Sequence, residues 1–164
     1  MHTTANQLTQ VQRRYSTYIA YFTGPLTGIC IDIYTASLPH MAIDLHTTAT
    51  LVQYTLSLYL LGYALCQIII ASISDIQGRR HLIITGTLAN IVITTLIIMA
   101  HDIHYIIVYR FLQGIALATI AAPNRAILVD IYQGKTLKHK ISLFAVIWSA
   151  TIIFSPAIGS YLEQ

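Results

Sequence analysis

A charged turn, Asp75, Ile76, Gln77, Gly78, Arg79, Arg80, separates two runs, 45–74 and 81–101, that contain no Asp, Glu, Lys or Arg. A hydrocarbon core about 30 Å thick is crossed by roughly 20 helical residues, and both runs reach that length. Inside lipid a spanning segment has to satisfy its own backbone N–H and C=O groups, so each run forms a helix. The pair is a helical hairpin whose tip lies in water. The rest of the chain is of the same kind: 55% of residues are hydrophobic, 9% are charged and the mean hydropathy is +0.65. Such a chain lacks the polar surface to cover a soluble globule of 164 residues.

Spans are expected at 18–44, 49–74, 81–101, 104–131 and 141–162. The fold class is therefore all-α, a polytopic membrane bundle of five transmembrane helices. Long apolar character without alternation excludes the ten-residue strands of an outer-membrane barrel. Residues 1–17 form a cytoplasmic amino-terminal segment and 18–162 the helix bundle. The first apolar stretch, 15–45, outlasts the short core of a cleavable signal peptide and is expected to stay in place. Cytoplasmic loops keep the excess of Lys and Arg. Arg13, Arg14, Arg79, Arg80, Lys135, Lys138 and Lys140, seven of the nine basic residues, fall on one side, so the amino terminus is expected in the cytoplasm. The formal charge of +3 is then a topology signal. Split among three loop regions, it makes no nucleic-acid patch. Cys30 and Cys66 lie inside apolar runs at no metal-type spacing and read as inert thiols.

Asp32 in the first span and Arg110 in the fourth are charged at depth. Each costs roughly 2.5–3.5 kcal/mol on insertion scales unless it faces protein or water. Small residues recur every fourth position through both: Gly24, Gly28, Asp32, Ala36 and Arg110, Gly114, Ala118, Ala122. That spacing lets helix backbones approach, so both charges lie on packing faces. They are expected to form an ion pair or a water-bridged pair in a polar cavity, against the alternative of two separately solvated groups. Arg125, close to the cytoplasmic end of its span, is expected to snorkel outward toward Asp130. Pro25, Pro39, Pro123 and Pro156 mark expected bends. Tyr15, Tyr18, Tyr105 and Tyr161 fall near the expected interfaces, while Tyr34 and Tyr59 are candidates for stacking on a substrate. His101, Asp102 and His104 share an outer loop but lack a third convincing metal ligand, and no nucleophile–base pair stands out, so neither a metal site nor an enzyme is expected.

These residues, taken in order, resemble the amino-terminal half of a major facilitator superfamily transporter of the bicyclomycin-resistance type of drug/proton antiporters. Asp32, Ile33, Tyr34, Ser37, Leu38 and Pro39 are similar to that type's first-helix signature. Asp75, Gly78, Arg79 and Arg80 resemble the superfamily's loop between helices two and three. Arg110, Phe111, Leu112, Gln113 and Gly114 resemble its buried-arginine motif, followed by Arg125 and Asp130. Ser155 to Ser160, with Pro156 and Gly159, are similar to the antiporter motif of helix five. The chain departs from the pattern at Ala71 and Ser72, where the family has Gly-Pro, at Ile76, where it has a basic residue, and at Ser155 and Ser160, where it has glycines.

The resemblance implies proton-coupled efflux of small drug-like molecules from a multi-pass protein of the cell (inner) membrane. Energy would come from the proton gradient, with no cofactor. Asp32, Tyr34, Arg110 and Gln113 are its implied substrate- and proton-binding residues. Asp75, Gly78, Arg79, Arg80, Gly114, Pro156 and Gly159 carry its conformational motifs. Asp32 would alternate between a proton and a cationic substrate, since burial and a nearby guanidinium act oppositely on a carboxyl group. Family members have two six-helix halves, whereas this sequence stops after five expected spans at Gln164. A truncated half, inactive alone and needing a carboxy-terminal half or a second copy, is therefore expected. A non-transporting membrane interaction module or a decayed gene fragment is the alternative.

Overall fold

The computed structural model describes residues 10–162, apart from the side chains at 10–12, 26–27, 30–33, 36–37, 39, 75–77 and 156–162. Five helices follow one another: α1 (Gln10–Asp44), α2 (Ala49–Gln77), α3 (Arg79–Met99), α4 (Ile103–Ile131) and α5 (Gly134–Leu162). No strand occurs among the described residues. Also among these residues, 49–74, α3, α4 and 134–155 are long and apolar enough to cross a membrane. Each expected span overlaps one helix. Two helices start earlier than hydropathy indicated, α1 at Gln10 and α5 at Gly134. Gln, Arg, Lys and Leu in those extensions are good helix formers, so the helix runs on where the apolar run has ended.

Local chemistry sets the ends. Beyond α1, the N–H of Thr47 reaches Ala42 O at 3.0 Å and that of His46 reaches Ile43 O at 3.1 Å, with His46 left-handed at φ 46°. This pattern satisfies the last carbonyls of a helix. Thr48 caps α2 through its side chain, which accepts from Leu51 N at 3.4 Å. Gly78 alone joins α2 to α3, at φ 88°, a backbone conformation that favours glycine. Asp102 caps α4. Helical structure continues through all four prolines, so none of them terminates a helix.

α4 is the hub. α2 and α3 pack chiefly on α4, α5 packs chiefly on α1, and α1 closes against α4. Glycines set the closest approaches. A Cβ at Gly114 would collide with the backbone of Tyr59 and Tyr63 on α2, and one at Gly62 would lie 2.5 Å from Phe111 O on α4. One at Gly86 on α3 would meet Thr119 and Ala116. Lipid supplies no hydrophobic drive between helices, so this backbone proximity carries much of the cohesion. Toward the end that carries the α4–α5 turn, Ala20, Leu128 and Phe144 form a small core joined by Tyr21, Tyr132 and Trp148.

Candidate functional site

Arg110 lies on α4, two turns in from Asp102, and is 8% exposed. Its guanidinium carbon sits 3.3 Å from the centroid of the Tyr34 ring on α1. Its Nη1 donates to Gln113 Oε1 at 3.0 Å, one turn along α4. Gln113 in turn donates from Nε2 to Thr94 Oγ1 on α3 at 3.0 Å. The amide is thus oriented by both neighbours, its oxygen toward the cation and its nitrogen toward the hydroxyl. Tyr34 OH lies 2.6 Å from Thr55 Oγ1 on α2. Thr55 uses its single hydrogen on Val52 O at 2.6 Å, so the tyrosine is the donor. One polar chain therefore runs through all four of these helices: Thr94, Gln113, Arg110, Tyr34, Thr55. A desolvated guanidinium is costly, and a cation over an aromatic face gains about 2 kcal/mol when the pair is desolvated; Arg110 and Tyr34 are both buried.

Of the four expected binding residues, Tyr34, Arg110 and Gln113 are brought together. The side chain of Asp32 lies outside the described residues; its backbone is in α1, close in sequence to Tyr34. The side chains of Asp75 and Pro156 also lie outside the described residues, as does the environment of Gly159. Gly78, Arg79 and Arg80 form the α2–α3 corner. Gly114 is a packing glycine under the α2 backbone. Tyr59 is 1% exposed and packs with Leu117 and Ile120, which removes it as a stacking surface for a substrate. Tyr15, Tyr18 and Tyr105 are exposed on the outside of the bundle.

The expected approach of Arg125 to Asp130 does not occur. Asp130 is held by Arg79, with Nη2 and Oδ2 2.7 Å apart, tying the start of α3 to the end of α4. Arg125 turns instead over Trp148 of α5, 5.8 Å from the ring. In the helix, residues five apart point to different sides, whereas α3 delivers Arg79 beside the last turn of α4. At the opposite end, Asp102 accepts from the backbone N–H of His104 at 2.8 Å and lies 3.0 Å from its Nδ1. The backbone hydrogen bond from His104, then its ring, hold the Asp102 carboxyl below its ordinary range. The His101–His104 loop is thus a helix cap.

Sequence reasoning missed Thr55, Thr94, Gly62, Gly86 and Trp148. The threonines and glycines carried one usable signal, since each is a small or hydroxyl residue inside an otherwise apolar run. Trp148 carried none that singled it out.

A membrane bundle with a buried, hydrogen-bonded guanidinium at its centre is a transporter-type architecture, and comparison with known proteins gives the family. Residues 20–163 match the Major Facilitator Superfamily model. The chain is 32% identical over 136 residues to an uncharacterized MFS-type transporter, YdgK, of Bacillus subtilis, covering 83% of this chain and 33% of that protein. It is 30% identical over 129 residues to the multidrug resistance protein MdtL of Klebsiella pneumoniae, covering 79% and 33%. To the chloramphenicol resistance protein CraA of Acinetobacter baumannii it is 29% identical over 119 residues, covering 73% and 29%. The chain belongs to the major facilitator superfamily of membrane transport proteins, and it spans about a third of the length of the curated relatives it matches.

Proposed function

We propose that this chain forms one wall of a proton-coupled export pathway for small drug-like molecules in the cell (inner) membrane, with its amino terminus in the cytoplasm. The observation that carries the proposal is the Arg110 guanidinium, buried on Tyr34 and fixed through Gln113 to Thr94. A charge held this firmly at depth is a fixed positive field on the bundle's inner surface. Asp32, on the helix that carries Tyr34, is the residue assigned to exchange a proton for substrate under that field. The relatives named for multidrug and chloramphenicol resistance support the class of cargo. Alternating access requires a second wall to move against this one, supplied by further chain or by a second copy.

Drug flux into proteoliposomes under an imposed pH gradient tests the proposal, using the transporter as it assembles in the membrane. Flux should collapse when the gradient is dissipated and in Asp32→Asn. Flux that is indifferent to the gradient, or undiminished in Asp32→Asn, overturns it. Absence of flux across a broad panel, with stable association to another membrane protein, would instead make the bundle an interaction module.

A further inference from the structure

Arg125 is the second guanidinium on α4, and nothing above gives it a task. Asp130, the nearest acid in sequence, is occupied by Arg79 at 2.7 Å. The Arg125 guanidinium carbon lies 5.8 Å from the Trp148 indole. Its field also reaches the Tyr63 phenol on α2, itself hydrogen-bonded to Gln67. Arg125 lines a groove of about 380 Å³ between α4 and α5, walled also by Leu128, Val129, Phe144 and Trp148, with Ser149 as a second polar group. The groove exists because α5 packs on α1 and barely touches α4. A largely apolar cleft with two aromatic walls and a few polar groups has the usual makeup of a small-ligand site.

We propose that this groove is a cytoplasmic-side subsite for a small aromatic solute carrying an anionic oxygen group. The ring would stack on Trp148, which is half-buried, and the anion would take the N–H donors of Arg125, which suit a carboxylate in bidentate fashion. A cation is disfavoured there, since Arg125 would repel it at low dielectric. The assignment deepens the transport function proposed above and rests on it for the route by which the solute arrives. It names a substrate class that Arg110, already engaged by Tyr34 and Gln113, does not select.

Trp148 is the single tryptophan of the chain, so its fluorescence reports on this groove alone. The chain in phosphatidylcholine nanodiscs is titrated with 4-nitrobenzoate, 4-nitrobenzyl alcohol and 4-nitrobenzylammonium, all quenchers of indole emission. Saturable quenching is expected for the benzoate, about tenfold or more tighter than for the alcohol, with no saturation by the ammonium. Arg125→Gln should erase the preference for the anion and Arg125→Lys should keep part of it, each with unchanged helical circular dichroism. Alike or unsaturable quenching by the three probes overturns the subsite, as does a preference that survives in Arg125→Gln. Displacement of the benzoate by phosphatidylglycerol in the disc would make the groove a lipid site and overturn the solute assignment. Two measurements separate the two proposals: in Asp32→Asn, binding that persists while flux is lost upholds both, and in the unaltered protein, absence of saturable binding alongside gradient-driven flux breaks this one alone.

Discussion

Arg110 and Arg125 occupy the same helix about 22 Å apart along its axis, at 1.5 Å per residue, yet the bundle treats them oppositely. Around Arg110, α1, α2 and α3 close in, and the side chain is 8% exposed with an aromatic face and an oriented amide as partners. Around Arg125 no helix closes in as tightly: Trp148 of α5 lies 5.8 Å away, and the side chain is exposed along a groove. The difference comes from glycines. Gly62 and Gly114 let α2 and α4 meet backbone to backbone, while Gly24 and Gly28 take α5 to α1 by accepting Phe144 and Trp148. A guanidinium is thus made structural or available by which neighbouring helix has a glycine facing it.

The largest effect is expected from truncating the enclosed arginine. Arg110→Ala strips Gln113 Oε1 of its donor and Tyr34 of its cation, and should lower stability by about 3 kcal/mol, against under about 0.5 kcal/mol for Arg125→Ala. Reversible unfolding in mixed micelles measures both, and equal losses would erase the contrast. Gly114→Ala comes next: its Cβ meets the Tyr59 and Tyr63 backbone, which has no rotamer to yield. It should cost about 1–3 kcal/mol and loosen the wall around Arg110 while leaving Trp148 fluorescence unchanged. A shifted Trp148 emission would show that the two regions are coupled.

Thr94→Val should be milder. It leaves the Gln113 amide nitrogen without its acceptor, a penalty of about 1–3 kcal/mol at most for a partly buried group, and frees Gln113 to rotate away from Arg110. If flux and stability are both unchanged, the Thr94 end of the chain does not orient the arginine. The smallest effect concerns pH at the Asp102 end of α4. The Asp102 carboxyl is held below its unfolded value by His104, so its contribution to the cap is present in full above about pH 4 and is lost as pH falls through the lowered folded value. The protection factor of the His104 amide, its exchange rate divided into the intrinsic rate at the same pH, should fall in that acid window, with the Arg125 end of α4 unaffected. A protection factor that stays constant through that window would contradict the cap.

Much of the fold was legible in the chain because lipid imposes simple rules. Uncharged runs of sufficient length gave the helices, the turn at Gly78 gave the first corner, and Gly114 was identified as a packing position from its four-residue spacing to Arg110 and Ala118. The candidate site was legible in part. Tyr34, Arg110 and Gln113 were named together, but as residues of a family pattern. Their bonding to one another and to Thr94 and Thr55 depends on rotations of four helices that no local pattern encodes. The Arg125–Asp130 expectation failed for the same reason, since sequence proximity hid a partner, Arg79, that comes from another helix.

The sequence alone determined a helical membrane protein with charges buried at depth, because burying an apolar run or stranding a charge has an energy that depends on composition and length. Only the tertiary structure decided what each buried charge does. Helix rotation and glycine-mediated approach choose the partners, leaving Arg110 clasped in a network and Arg125 open beside the chain's one indole.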